Sequence, residues 1–174
     1  IGRTTGTLRV DSIRGQTAGT NRYVVQVVQG TISSTSTTST SFTTTGLTAT
    51  ITPQSTNNKI LVSVKGIGSA DADNSNQALF RMVRSQPSAD TIVDGQDNFP
   101  YNSNQFGKGF AVAEGQRERY PVMCDLLDSP STTSAIEYKL MFMTSASGTA
   151  RLGRWGTDGN WDVRTQLTLM EIAQ

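Results

Sequence analysis

The apolar residues of this sequence recur at every second position in short blocks, and this is the period of a β-strand. The clearest block is Ile136–Thr144, in which the apolar residues Ile136, Tyr138, Leu140 and Phe142 occupy alternate positions. Leu47–Ile51 and Lys59–Lys65 follow the same pattern, and no window shows the 3.6-residue apolar period of a helix. We therefore predict strands at these blocks and at four others. The four are Tyr23–Gln29, Ala78–Arg84, Arg119–Leu127 and Arg164–Ile172.

The segments between the blocks are rich in Ser, Thr, Asn and Gly, which favour turns or exposed strands. Thr31–Thr45 is a low-complexity Ser/Thr stretch, and Asp90–Phe106 is predicted to be a long exposed loop with one short strand. Seven to nine short strands joined in this way indicate an all-β fold: an antiparallel two-sheet sandwich of jelly-roll type.

Some predicted strands carry apolar residues on both faces. In Ile136–Thr144, Met141 and Met143 lie on the face opposite the predicted core. In the last strand, Leu167 and Leu169 face one way, and Met170 and Ile172 face the other. For the two methionines we keep two interpretations: a contact between subunits, or a loop of the same chain that covers them.

The first 21 residues differ from the rest, because Leu8, Val10 and Ile13 are their only large apolar residues after Ile1. These side chains cannot form a core alone, so another chain or the next domain must cover them. We predict an extended, fibrous connector at residues 1–21 and a β-sandwich domain at residues 22–174. Since the chain begins at Ile1 without Met, we also expect residues upstream.

Composition and charge exclude several classes of protein. The chain is 35% hydrophobic and 17% charged, with a net charge of +1 and no run of Lys or Arg, which argues against nucleic acid as a partner. A single cysteine, Cys124, excludes an intrachain disulfide, and we expect it to be a small buried apolar residue. No stretch of 18 apolar residues is present, so we expect no membrane insertion.

Several blocks resemble a family of phage fibre-like proteins that is common in viruses of aquatic bacteria. The blocks that carry the resemblance are Val24–Gln29, Thr40–Pro53, Lys59–Val62, Leu127–Ser134 and Thr168–Ile172, preceded by the strand-like Leu8–Ile13. The resemblance covers most of Tyr23–Ala173 and weakens across Ser69–Arg119. It implies a virion component, usually a trimer, that acts through its loops or in attachment.

The residues needed for most enzymatic sites are missing. The chain has no histidine, which excludes a Ser-His-Asp triad and a histidine metal site. Asp125, Asp128 and Glu137 are conceivable members of a glycan-hydrolysing carboxylate pair, but Asp128 precedes Ser-Pro in a predicted turn. Asp71–Asn76 begins like a calcium loop but fails at the positions that require Gly and Glu. We expect no enzymatic activity, no cofactor and no metal.

Two aromatic segments remain as candidate binding loops. The first surrounds a Gly-rich turn and contains Arg154, Trp155, Asp158 and Trp161; stacked Trp rings beside polar groups are typical of glycan sites. The second is the predicted loop at Asp94–Phe106, with three aromatic rings. Its rings are Phe99, Tyr101 and Phe106. The alternative for both segments is structural: the rings cap the sandwich or pack between subunits.

Three functional hypotheses follow. The first is a trimeric tail-fibre domain of a bacteriophage that attaches to a host-surface glycan. The second is a capsid decoration or head-fibre protein that binds other virion proteins. The third is a carbohydrate-binding module of a cellular enzyme. The first two place the chain on the outside of a virion.

Overall fold

The structure is a computed structural model that describes residues 22–70, 77–86, 89–93, 112–114, 120–154 and 162–174. These residues form eleven β-strands and no helix. In chain order the strands are β1 (Val24–Ile32), β2 (Thr35–Thr37), β3 (Thr43–Ile51), β4 (Lys59–Ala70), β5 (Gln77–Gln86), β6 (Ala89–Ile92), β7 (Val112–Glu114), β8 (Tyr120–Asp128), β9 (Ile136–Thr144), β10 (Ala150–Leu152) and β11 (Thr165–Ile172).

The strands form two antiparallel sheets. In sheet A, β4 is central: β8 pairs with one of its edges, while β11 and β10 pair with the other and are flanked by β1 and β2. In sheet B the order is β3, β9, β5, and both β6 and β7 pair with the outer edge of β5. The predicted all-β two-sheet sandwich is confirmed. The predicted extended connector at residues 1–21 lies outside the described residues.

β10 and β11 are two parts of a single line of pairing along β4. Leu152 pairs with Gly68 and Gln166 pairs with Lys65, and both strands run antiparallel to β4. The edges of β11 and β10 that face away from β4 are also paired: β1 pairs with β11, and β2, the next strand in the chain, pairs with β10. The residues between Leu152 and Gln166 are therefore an insertion into a long strand whose two neighbours continue past it.

The core lies between the two sheets and is filled by alternate residues of the long strands. Tyr138, Phe80 and Phe142 are its largest fully buried side chains, and the rings of Phe80 and Phe142 stack with centroids 6.2 Å apart. Every even-numbered position of β9 is buried, as predicted for Ile136–Thr144. Leu167 and Leu169 of β11 are also core residues, which confirms the predicted division of that strand.

On the outer face of sheet B, the strand β5 is covered by its own chain. Leu79 and Val83 of β5 point away from the core, yet only 2% and 3% of their surfaces are exposed. They pair with Met143 and Lys139 of β9, and Met141 and Met143 on the same face are half-buried. Of the two interpretations of these methionines, the burial of their neighbours within one chain favours cover by the same chain.

One expectation about local structure was wrong, and one stretch contains strands that were not predicted. The Ser/Thr-rich stretch Thr31–Thr45, to which no strand was assigned from the sequence, contains the end of β1, all of β2 and the start of β3. Threonine is β-branched and fits a pleated surface, so a Ser/Thr-rich stretch can pair as an edge strand without large apolar residues. Cys124 is not fully buried: it lies on β8 with a partly exposed side chain.

A glycine brings the two sheets into contact at one edge. An added Cβ at Gly30 of β1 would lie 1.9 Å from the backbone oxygen of Thr48 of β3, far inside van der Waals contact. Because β1 belongs to sheet A and β3 to sheet B, the missing side chain lets the backbones of the two edge strands touch. This contact closes that side of the sandwich.

Gly30→Ala should therefore destabilise the fold. The new methyl group meets backbone, which cannot rotate away, so we expect a cost of about 2–4 kcal/mol in the free energy of unfolding, as for strong overpacking. Thr31→Ala, at the next and exposed position of β1, should change it by less than about 0.5 kcal/mol. Chemical denaturation compares the variants; equal midpoints would show that β1 and β3 do not depend on this close approach.

Candidate interaction surface

The first predicted binding loop is an excursion from sheet A with a well-defined stem. Arg154 and Asp162 form an antiparallel bridge, so the two ends of the loop lie side by side. Below the bridge, the amide of Val163 donates to the carbonyl of Gly153 at 2.7 Å, and the amide of Gly153 donates to Ile67 of β4 at 2.8 Å. The stem is thereby fixed to the central strand of the sheet.

Glycine is required at the point where the chain leaves the strand. Gly153 has a φ of 70°, a left-handed conformation that is unfavourable for other residues. An added Cβ there would also lie 2.2 Å from the carbonyl oxygen of Ser33. The glycine thus turns the chain out of the sheet while β1 and β2 continue alongside it.

Arg154, the last described residue before the loop, is held at the outer face of sheet A. Ser69 lies on the face of β4 opposite the core residues, and its hydroxyl donates to the carbonyl of Arg154 at 3.0 Å. Ser69 and Arg151, which pair across β4 and β10, are both buried although they point outward. The outer face at the base of the loop is therefore covered.

The structure describes one of the seven predicted site residues. Arg154 is half-buried at the stem of the loop, as given above. The other six lie outside the described residues, so their predicted role stays a prediction; they are Trp155, Asp158, Trp161, Phe99, Tyr101 and Phe106. The calcium-like segment Asp71–Asn76 also lies outside them.

A second surface, which the sequence reasoning did not identify, crosses the same face of sheet A. Val27 pairs with Met170, Met170 with Leu61, and Leu61 with Leu127, so one apolar side chain from each of β1, β11, β4 and β8 stands in a line. We call these four residues the apolar row. Val27 is 52% exposed and Leu127 is 51% exposed. The row is a continuous apolar strip in contact with solvent.

The rows on either side of the apolar row define its borders. Towards the start of β4, Val24 pairs with Ile172 and Ile172 with Lys59, which extends the strip and ends it at a cation. In the other direction the next row is polar. It contains Gln29, Thr168, Ser63 and Asp125. A polar row therefore borders the apolar row, and beyond it Met123 of β8, which pairs with Lys65, is 59% exposed on the same face.

The apolar row had a partial signal in the sequence. Met170 was predicted to face away from the core, and it does. Val27, Leu61 and Leu127 lie in other predicted strands, and which of their neighbours stand beside them depends on strand order and register. A single sequence does not give those, so the row could not be assembled before the fold was known.

The three candidate catalytic carboxylates do not form a pair. Asp125 is exposed on the outer face of sheet A, and Glu137 lies on the outer face of sheet B. Packed sheets are about 10 Å apart, so these two side chains are separated by more than the thickness of the core. The side chain of Asp128 points into the space between the two sheets, away from both Asp125 and Glu137. A glycosidase requires two carboxyl groups about 5–9.5 Å apart on either side of one bond.

Asp128 instead joins the two sheets. Its carboxylate accepts hydrogen bonds from Nη1 of Arg84 at 2.6 Å and from the hydroxyl of Tyr138 at 2.7 Å. Arg84 and Tyr138 belong to sheet B, and Asp128 ends β8 of sheet A. Burial raises the pKa of Tyr138, and its hydrogen bond to Asp128 raises it further, so the phenol stays protonated. The group is a structural clasp, in which the other carboxylate oxygen of Asp128 accepts a hydrogen bond from the amide of Ser129 at 2.8 Å.

Glu171 is the other acidic group enclosed by the sandwich, and the sequence reasoning missed it. It is fully buried, and it accepts hydrogen bonds from the side chains of Gln26 and Asn58 at 2.6 Å and from the amide of Gln54 at 2.7 Å. Burial, the largest single effect, raises its pKa, but these hydrogen bonds and one from the Ser55 amide outweigh it and hold the pKa below its usual value. Glu171 therefore anchors the β3–β4 connection as a charged acceptor.

The part of the chain that the structure describes contains no evident metal site. There, no group of three or more Cys, Asp or Glu side chains could hold a metal ion. No helix among these residues is long and apolar enough to cross a membrane.

Comparison with known proteins adds no family. No protein-family model matches the sequence. No curated protein matches it significantly. The interpretation of this chain therefore depends on the fold, its surfaces and the resemblance described above.

Glu171→Gln should destabilise the protein in a pH-dependent way. The variant places an amide among four donors, and at pH 7 we expect a cost of about 1–3 kcal/mol in the free energy of unfolding. Because the folded-state pKa of Glu171 is lowered, the stability that its charge contributes is present above the ordinary value of 4.5 and is lost as pH falls through the folded value. The gap between wild type and variant should narrow below about pH 4.5.

Denaturation curves at several pH values test this expectation. Glu137→Gln, at a half-buried position outside the core, is the control and should show no comparable gap. A gap of constant size from pH 7 to pH 3 would contradict the assignment of Glu171 as a buried carboxylate.

Asp128→Asn should weaken the clasp. The variant keeps the shape but removes the charge that faces Arg84, and we expect a loss of about 2–3 kcal/mol in the free energy of unfolding, as for hydrogen bonds to charged groups. Asp125→Asn, exposed on the outer face of sheet A, should lie within about 0.5 kcal/mol of wild type. Urea denaturation measures both, and equal stability of the two variants would show that the clasp is not needed.

Proposed function

We propose that this chain is a non-enzymatic structural component of a bacteriophage particle: a trimeric tail-fibre domain that helps to attach the particle to a glycan on the host surface. The observation that carries the proposal is the apolar row on a closed, helix-free sandwich. An exposed apolar strip of this kind marks a protein interface. A domain that must be covered by other chains is what a fibre or capsid assembly requires.

The loop of residues 154–162 supports a role in attachment. Its two ends, Arg154 and Asp162, form an antiparallel bridge, and the stem below them is fixed to β4 by the backbone hydrogen bond from Gly153 to Ile67. Binding residues are often placed on loops that a rigid scaffold positions. The sequence of this loop contains the two tryptophans and the polar groups that suit a sugar surface.

The positions of the acidic residues support the absence of catalysis. Asp125 and Glu137 face opposite sides of the sandwich, and Asp128 is held by Arg84 and Tyr138. The chain also has no histidine to act as a general base. The resemblance to phage fibre-like proteins agrees with a role in assembly and attachment.

A second candidate function is a capsid decoration or head-fibre protein. An apolar strip four strands wide suits lasting contact with other virion proteins as well as with copies of the same chain. The two functions differ in what covers the strip and in where the chain is found.

Electron microscopy of the intact particle, with a labelled antibody against this chain, decides between the two functions. Label at the tail fibres supports the first, and label at the capsid supports the second. Absence of label from the particle would contradict both.

The attachment role gives a prediction for two aromatic residues. Trp155→Ala and Tyr101→Ala should each weaken attachment to host cells by about 1–3 kcal/mol, as for an interface anchor, and leave the thermal midpoint almost unchanged. Binding of the purified protein to cells and thermal denaturation measure the two effects. If both variants instead lose 3 kcal/mol or more of stability, the rings are core residues and the loops are not the binding site.

A further inference from the structure

We infer that copies of this chain pack on one another through the outer face of sheet A, with the apolar row at the centre of the contact. The inference rests on the proposed function as a self-associating component and names the surface that performs it. It also relocates the contact, because the sequence had pointed to the methionines of β9 on sheet B.

The two outer faces of the sandwich differ in what covers them. On sheet B, the outward-facing Leu79 and Val83 are almost completely buried within a single chain. On sheet A, the outward-facing Val27 and Leu127 keep about half of their surface in contact with water, at 52% and 51%. The chain thus covers the outer face of β5 itself, whereas on sheet A it leaves the two ends of the apolar row about half exposed.

The size of the face suits a contact between copies. Strands lie about 4.8 Å apart and rise about 3.3 Å per residue, so four strands of about nine residues make a face of about 19 by 30 Å, or about 600 Å². Side chains that stand above the sheet add to this flat area. A stable protein contact buries about 800 Å² on each partner, so the face approaches the required size without help from another surface.

The charges on the face favour a second copy over a strongly charged partner. Lys59 and Lys65 lie on β4, and Asp125 lies on the neighbouring β8, so both signs occur around the apolar row. A nucleic acid or an acidic membrane surface would select a face with one sign of charge. A face of mixed sign with an apolar centre is compatible with a copy of itself, because each copy offers both partners of an ion pair.

The test introduces a lysine into the apolar row. Met170→Lys and Leu127→Lys each place a charge where the contact would exclude water; Leu127 is 51% exposed in the single chain and Met170 is half-buried on the outer face. The matched control is Thr50→Lys, an exposed position of β3 on the outer face of sheet B, opposite Glu137. Circular dichroism and the thermal midpoint verify that each variant folds.

Light scattering at micromolar concentration then measures how many chains each assembly contains. We expect about three chains for the wild-type protein and for Thr50→Lys, and dissociation constants raised at least tenfold for Met170→Lys and Leu127→Lys. If the wild type associates and the row variants associate equally well, this surface is wrong while the proposed function stands. If the wild type is monomeric, the inference and the trimeric fibre domain both fail.

Discussion

Each strand of a sandwich sends alternate side chains to two faces, and only one of these faces lies against the shared core. In this chain the outer faces of sheet A and sheet B differ in how far the chain itself covers them. On sheet B, the burial of Leu79 and Val83 shows that the chain itself covers the outer face at β5. On sheet A, it leaves Val27 and Leu127, the two ends of the apolar row, about half exposed. The proposed self-association follows from this difference, because an apolar strip in water is stabilised when another surface covers it.

Two carboxylates, one buried and one partly buried, hold together the sandwich that presents this face. Asp128 joins the sheets through Arg84 and Tyr138, and Glu171 holds the β3–β4 connection through four donors. Neither carboxylate has the geometry of a reacting group, since each is saturated by fixed donors. Of the three carboxylates considered for catalysis from the sequence, Asp128 therefore acts as a structural link, while Asp125 and Glu137 lie on opposite outer faces.

The sequence predicted the elements whose period is strong and local. The alternation of β9 and the two-sided pattern of β11 gave the correct strands, faces and fold class, because side-chain direction in a strand depends only on the parity of position. The Ser/Thr-rich β2 was missed, since no large apolar residue marks it. The apolar row and the donors around Glu171 could not be predicted, because Val27, Leu61 and Gln54 reach their partners only through the register of distant strands.

The central claim is that the outer face of sheet A becomes covered when the chain assembles, and residue-resolved oxidative footprinting tests it most directly. Met170 belongs to the apolar row, while Met82 is fully buried in the core and serves as an internal reference that stays unreactive. The account predicts that Met170 is oxidised in dilute, dissociated protein and protected in the assembled protein at high concentration. Equal oxidation of Met170 under the two conditions, in protein shown by light scattering to be assembled in one of them, would contradict it.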